Sequence, residues 1–184
     1  MNGMSADALP GVLVGSRLDL VLVTVEQLLS RDEGREPVSL GFEDPDDVLN
    51  PDTSPLRYRS DQVRANPEVN PWLLRLAVDR ASATIVGYGN FHDAPDERGM
   101  VEVGYTVLPR WQRRGYGREI ALTMWRYGVQ HPDVRVLRAS VSPDNLASHS
   151  IITGAGLVRV GEQWDDVDGL EWVFEVPAAD ARLG

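Results

Sequence analysis

The spacing of apolar residues predicts a succession of strands along most of the chain. Between residues 16 and 23, Leu18, Leu20 and Leu22 occupy every second position, which is the period of a strand with one buried face. The dipeptide Asp168-Gly169 favours a tight turn and predicts that the last two strands form a hairpin. By the same reasoning, the further strands are predicted at residues 72–79, 84–91, 101–107, 134–141, 157–164 and 170–176.

Helices are predicted where apolar residues recur at helical spacing or where a capping pattern appears. Thr24 and Gln27 form a capping box, so a helix follows the first strand and ends near residues 31–34. Shorter helices are predicted at residues 58–66 and 145–153. The apolar face of the longest predicted helix is formed by Ile120, Ala121, Met124, Tyr127 and Gly128.

The order of these elements predicts the fold class. Strands come first and a β-α-β-α-β-β run follows, which favours a mixed α/β sheet, mostly antiparallel and flanked by helices, over a doubly wound parallel sheet. Residues 35–55 are rich in proline and acidic residues, and we expect a long loop there. The chain is predicted to form a single domain over residues 1–184, with flexible tails at 1–14 and 178–184.

Composition narrows the chemistry that is available. The chain has no cysteine, and all 18 of its basic residues are arginine, so disulfides, a zinc–thiolate site, a cysteine nucleophile and a catalytic lysine are excluded. A net charge of −10 argues against nucleic-acid binding. No apolar run is long enough to span a bilayer and no secretory signal is apparent, so we expect no membrane association and a cytoplasmic protein. His131 and His149 have no metal-ligand spacing, and no metal site is expected.

A glycine motif between the strand at 101–107 and the long helix predicts an anion site. Gln112 is followed by Gly115 and Gly117, where the backbone can approach a ligand closely because neither residue has a Cβ. The unpaired N–H groups of the first helical turn suit a phosphate. The alternative is a tight strand-to-helix turn with solvated arginines. Four positive charges surround the motif, on Arg110, Arg113, Arg114 and Arg118.

Two motifs together resemble the GNAT acetyltransferase superfamily. One is the Gln-x-x-Gly-x-Gly sequence at 112–117, and the other is Asn145-x-x-Ser148 followed by Gly154-Ala155-Gly156-Leu157. The segment Glu102-Val103-Gly104-Tyr105 and the Asn-x-x-Ser pattern are most similar to the branch that acetylates ribosomal-protein N-termini. The resemblance implies a GNAT-like acyl-CoA N-acyltransferase fold and acetyl-CoA as co-substrate. The cofactor-binding residues that it implies are Tyr105, Thr106, Val107, Arg113, Arg114, Gly115, Tyr116, Gly117, Arg118 and Asn145.

The resemblance also implies roles for individual residues. Glu102 is the candidate general base, acting through water, and strand alternation points its side chain away from those of Val101 and Val103. His92 is the alternative base because of its position at the end of the preceding predicted strand. A backbone N–H near Val107 would hold the oxyanion, while the Trp111 and Tyr116 side chains are expected to pack rather than stack on adenine. Ser148 is the candidate acid or hydrogen-bond donor to the CoA sulfur. Many members of the superfamily have a tyrosine, which serves as the acid, where this chain has Ile152. Ser148 is therefore the main candidate for that role here.

These observations predict an N-acetyltransferase that transfers an acetyl group to a primary amine by direct attack in a ternary complex. The alternative is a CoA-binding sensor without catalysis. The acceptor is either a protein N-terminus or a small cationic amine, and a homodimer is left open. Because residues 35–55 and the final hairpin are acidic, we expect an acceptor with more than one positive charge. The hairpin acids are Asp165, Asp166, Asp168 and Glu171.

Overall fold

The computed structural model describes residues 9–36, 38–167 and 169–184. The strands are β1 (Val12–Val14), β2 (Leu18–Leu22), β3 (Arg75–Asp79), β4 (Thr84–Phe91), β5 (Met100–Val107), β6 (Val136–Val141), β7 (Val158–Asp165) and β8 (Gly169–Pro177). The helices are α1 (Val25–Asp32), α2 (Leu56–Ala65), α3 (Tyr116–Gly128) and α4 (Leu146–Gly154). Short 3-10 turns occur at Pro67–Trp72, Pro109–Trp111 and Ala178–Asp180.

The strands of the described residues form one eight-stranded sheet in the order β1-β2-β3-β4-β5-β6-β8-β7. Neighbouring strands are antiparallel, except that β5 and β6 are parallel. Strand β8 lies beside β6 because the β7–β8 hairpin folds back, which leaves β7 at the edge of the sheet. The expectation of a mixed, mostly antiparallel α/β sheet is therefore confirmed.

Apolar clusters cover both faces of the sheet and place the helices. On one face, Trp125 and Ile120 of α3 pack with Phe91 of β4 in the larger cluster. On the other face, Leu28 of α1 and Leu56 of α2 form a second cluster. Residues of β5 alternate between the faces, as the period of a strand requires. The side of β5 that faces α1 and α2 therefore differs in chemistry from the side that faces α3 and α4.

Local signals predicted the first helix correctly. The Thr24 hydroxyl accepts a hydrogen bond from the Gln27 N–H at 3.2 Å, and the Gln27 side chain accepts one from the Thr24 N–H at 2.9 Å. Both halves of the capping box are thus present. The described residues between 35 and 55 contain no helix or extended strand, form one isolated bridge between Glu43 and Thr84, and pack apolar side chains such as Leu49 against the sheet.

Parts of both predicted tails pack against the rest of the domain. Residues 1–8 lie outside the described part, but Val12–Val14 forms β1, and Leu13 is fully buried beside the α3 face. At the other end, the Arg182 N–H donates to the Ala155 carbonyl at 2.8 Å and Leu183 packs against the same core. Leu13 and Leu183 thus contact the same core cluster from the two ends of the chain. Asp168 of the predicted turn lies outside the described residues.

Candidate active site

The two parallel strands at the centre of the sheet separate partway along their length. Strand β5 pairs with β6 only through Met100–Glu102, opposite Val136–Arg138, although β5 continues to Val107 and β6 to Val141. Beyond Glu102, β5 remains paired with β4 on its other edge. The backbone of residues 103–107 is therefore not paired with β6, which leaves strand N–H groups such as that of Val107 open to a ligand, whereas the Val107 carbonyl accepts a hydrogen bond from the Gln112 side chain at 3.0 Å.

A cleft of about 550 Å³ adjoins this open edge. Ser148 lines it, as do nine of the ten residues predicted to bind the cofactor, namely Tyr105, Thr106, Val107, Arg113, Gly115, Tyr116, Gly117, Arg118 and Asn145. Arg114, the tenth, is not among the lining residues. Its guanidinium lies over the Trp111 ring, 4.9 Å from the ring centroid, and its carbonyl accepts a hydrogen bond from Arg17.

The glycine motif forms the turn between β5 and α3. Gly115 is the N-cap of α3 with a φ of 82°, in the left-handed region that favours glycine, and it supplies no side-chain cap. The first-turn N–H groups of α3 therefore have no capping side chain and remain available to an anion. A Cβ on Gly117 would lie 3.3 Å from the Tyr105 ring, so glycine allows the start of α3 to approach β5 closely.

Asn145 and Ser148 lie at the start of α4, on the opposite side of the cleft. The Asn145 side chain accepts a hydrogen bond from the Ser148 N–H at 3.1 Å and so caps the helix. The Ser148 Oγ lies 3.0 Å from the Tyr105 hydroxyl. Burial raises the pKa of the Tyr105 phenol. Ile152, which replaces the tyrosine found in many relatives, is buried in the core, so α4 contributes no phenol here.

Glu102 lies on the other face of β5, where the two strands part. Val101 and Val103 face the α3 cluster, so the Glu102 side chain points away from it, as predicted. Its Oε2 is 3.8 Å from His92 Nδ1, and its Oε1 is buried without a hydrogen-bond partner among the described residues. The structure thus brings together both residues that were proposed as the base.

Gly104 makes room for the His92 ring on this face. A Cβ at Gly104 would lie 2.9 Å from His92 Nε2. The backbone N–H of His92 donates a hydrogen bond to the backbone carbonyl of Glu102 at 2.8 Å, which joins the residue after β4 to β5. The ring is therefore held directly over the strand that carries Glu102.

Two residues of α2, which sequence patterns did not single out, bind the backbone carbonyl of His92. The Nη1 of Arg59 donates to the His92 carbonyl at 2.8 Å, and the Nε2 of Gln62 donates to the same oxygen at 2.9 Å. Arg59 is buried, and burial lowers its pKa to about 10, so the guanidinium stays charged at neutral pH. No local sequence signal marks these contacts, since they join positions about thirty residues apart.

The environment of His92 disfavours its charged form. Desolvation lowers the pKa of the ring, and the nearby Arg59 charge lowers it further, whereas Glu102 and Asp165 act in the opposite direction. The net effect is a pKa below the usual histidine value, so His92 is neutral at pH 7. A neutral imidazole can accept a proton.

The acidic segment at residues 35–55 contacts one of the four arginines that surround the glycine motif. The Nε of Arg110, just after β5, donates to Asp46 at 2.9 Å. Two further acids of the segment are also paired with arginines, Asp47 with Arg31 at 2.8 Å and Asp52 with Arg57 at 3.2 Å. These acids neutralise nearby arginines and do not form an open acidic rim.

The described residues contain neither a membrane-spanning helix nor a cluster of metal ligands. No helix in residues 9–36, 38–167 and 169–184 is long and apolar enough to cross a membrane. The same residues contain no group of three or more His, Cys, Asp and Glu side chains that could hold a metal ion.

Comparison with known proteins places this site in a family. Residues 40–158 match the model of the acetyltransferase (GNAT) domain. An uncharacterised N-acetyltransferase of Bacillus subtilis, YjdG, is 29% identical over 87 residues, which are 47% of this chain and 50% of that protein. The chain spans about half the length of the curated relatives it matches.

Solved structures share the fold at low identity. Ribosomal-protein-S5-alanine acetyltransferase of Vibrio fischeri is 14% identical with a TM-score of 0.63, covering 93% of this chain and 98% of that chain. A spermidine N-acetyltransferase chimera of Vibrio cholerae SpeG and hSSAT is 13% identical with a TM-score of 0.62, covering 89% and 97%. Since the family model spans well over half of the sequence and the fold agrees, the chain belongs to the GNAT acetyltransferase family.

Proposed function

We propose that the protein is an acetyl-CoA-dependent N-acetyltransferase that acts on a primary amine by direct attack in a ternary complex. The observation that carries the proposal is the position of Glu102. Its buried, unpartnered Oε1 lies at the point where β5 and β6 part and where the open edge of β5 begins. A carboxylate oxygen buried without a partner is costly unless a ligand or water engages it.

The cleft has the parts that a CoA thioester requires. The N-terminus of α3 would take the pyrophosphate, helped by Arg113 and Arg118. The side-chain amide of Asn145 and the open edge of β5 would hold the pantetheine arm. The thioester carbonyl would then lie near the Val107 N–H, which would stabilise the oxyanion.

The opposite face of β5 supplies the proton acceptor. An amine that attacks a thioester must lose a proton, and Glu102 would accept it through water. His92 is the alternative acceptor, since the ring is neutral at pH 7 and its Nδ1 is 3.8 Å from Glu102 Oε2. Acceptor and cofactor would approach β5 from different faces, so both could be bound at once with the amine held close to the thioester.

A sensor that binds CoA without catalysis is the second candidate. It needs the cleft but no carboxylate on the other face, and the buried Ile152 in place of a tyrosine favours it. The acceptor class is also open, because one neighbour in structure is named for a ribosomal-protein substrate and another for spermidine.

One experiment separates the two candidates. CoA release from acetyl-CoA is measured with peptide N-termini, polyamines and aminoglycosides, and CoA binding is measured by calorimetry. For the amine that reacts, Glu102→Gln should lower kcat about 100-fold while CoA affinity stays nearly unchanged. Glu97→Gln is the matched control, since Glu97 is exposed in the loop before β5. CoA binding without release for any amine would support the sensor.

A further inference from the structure

Two hydroxyl groups from distant parts of the chain meet at the cleft. Tyr105 on β5 donates a hydrogen bond to the Ser148 Oγ on α4 at 3.0 Å. Because Asn145 also holds the Ser148 N–H, both the backbone and the side chain of Ser148 are fixed. Both hydroxyl-bearing residues line the cleft.

The direction of this hydrogen bond determines where the serine proton points. A phenol is a stronger donor than an aliphatic alcohol, so Tyr105 donates and Ser148 accepts. Among the described residues, no group accepts the proton of Ser148 itself. That O–H is left to donate into the cleft.

From this geometry we infer that Tyr105 is a positioning residue that aims the Ser148 hydroxyl at the departing CoA sulfur. The inference rests on the proposed function. Tyr105 supplies from β5 a phenol that α4 lacks, since Ile152 is buried in the core. It acts through Ser148.

The step balances without a proton from either hydroxyl. The amine nitrogen attacks the thioester carbonyl carbon, the C–S bond breaks, and its electron pair goes to sulfur. The surplus proton of the amine goes to Glu102. The thiolate accepts a hydrogen bond from Ser148, whose oxygen accepts one from Tyr105, and each bond of such a chain strengthens the next. A thiol with a pKa of about 8.5 leaves readily as the anion, so hydrogen bonding is sufficient.

The first test is a double-mutant cycle on the transfer reaction. Tyr105→Phe and Ser148→Ala should each lower kcat about tenfold, with the KM for acetyl-CoA changed less than about twofold. The double variant should lose no more than Ser148→Ala alone, because Tyr105 acts through Ser148. Tyr127→Phe is the matched control, since its hydroxyl contacts the Val14 N–H on the far side of α3.

The second test needs no acceptor amine. The thiol of CoA bound to the protein is titrated by the ultraviolet absorbance of its thiolate. The wild-type protein should lower the pKa of the bound thiol below that of free CoA, and Tyr105→Phe and Ser148→Ala should each raise it again. A side chain that only packs would not move this value.

Distinct results would overturn the inference. It fails if Tyr105→Phe keeps the wild-type kcat and the wild-type thiol pKa, or if the two losses in kcat are independent. It also fails if Tyr105→Phe weakens CoA binding alone. If no amine is acetylated but the thiol pKa still depends on Tyr105 and Ser148, the proposed function is wrong and the positioning role stands.

Discussion

At the scale of single residues, the environment of His92 determines which group can accept a proton. The His92 side chain is 47% exposed, its ring is 3.8 Å from the Glu102 carboxylate, and the buried Arg59 guanidinium binds the backbone carbonyl of the same residue. Desolvation and the arginine charge oppose protonation more strongly than the carboxylates favour it. The lowered pKa keeps His92 neutral where an amine substrate would have to lose its proton.

The pH dependence of the reaction follows from this balance. A lowered pKa means that His92 takes up its proton only as the pH falls below about 6.5, the usual histidine value. If the neutral ring is needed, kcat should be lost on the acid side of that value. The variant Arg59→Met removes a positive charge that lowers the pKa of His92. The pKa of His92 should therefore rise, and the acid limb of the kcat profile should move to higher pH.

The control for the shift expected in Arg59→Met is a variant that removes an uncharged hydrogen-bond donor from the same His92 carbonyl. Gln62→Ala deletes the second hydrogen bond to the His92 carbonyl but changes no charge. Its acid limb should stay in the wild-type position. An identical profile in all three proteins would show that His92 does not titrate in the reaction.

Residue roles were predictable from sequence only where they depend on near neighbours. The capping box of Thr24 and Gln27 is separated by three positions, and the direction of Glu102 follows from strand alternation. The contact of Tyr105 with Ser148 spans 43 positions, and that of Arg59 with His92 spans 33. These contacts depend on how β5, α4 and α2 pack, which no local pattern encodes.

At the scale of elements, the junction of β5 with α3 brings together most of the residues that are proposed to bind the cofactor. Alternation and helical spacing predicted both elements, and the glycine motif predicted the turn between them. The parting of β5 from β6 was not predictable, because it depends on where a parallel partner stops pairing. The contacts of the chain ends were not predictable for a similar reason, since Leu13 is buried and Leu183 is partly buried against distant segments.

The close approach at Gly117 makes a specific prediction about cofactor binding. In Gly117→Val, the added Cβ lies 3.3 Å from the Tyr105 ring and its methyl groups narrow the cleft. The Kd for acetyl-CoA should rise at least tenfold, about 1.4 kcal/mol, by calorimetry. Gly154→Val is the matched control, because Gly154 is also helical but a Cβ there meets nothing within 4 Å. Unchanged affinity in a folded Gly117→Val protein would remove the pyrophosphate assignment.

At the scale of the whole molecule, the distribution of charge bears on the acceptor. The acids of residues 35–55 and of the final hairpin suggested an acidic surface around the acceptor, but Asp46, Asp47 and Asp52 are paired with arginines. The final hairpin remains a candidate, because the charge of Asp165 at the end of β7 partly opposes the lowering of the His92 pKa, which indicates that this acid acts on the Glu102 side of β5. Net charge alone could not distinguish these two groups of acids.

The preference for a polycationic amine is therefore predicted to depend on Asp165. For a polyamine acceptor at saturating acetyl-CoA, kcat/KM should fall as salt rises from roughly 0.02 to 0.5 M, because screening weakens the attraction of charges. Asp165→Asn should lower kcat/KM at low salt and flatten this dependence, and a monoamine should respond less. Asp52→Asn is the control, since this exposed acid pairs with Arg57. Saturation with acetyl-CoA is essential, because salt also weakens the binding of its phosphates to arginine. A flat salt profile for the wild-type protein would refute electrostatic selection of the acceptor and leave the transfer chemistry untouched.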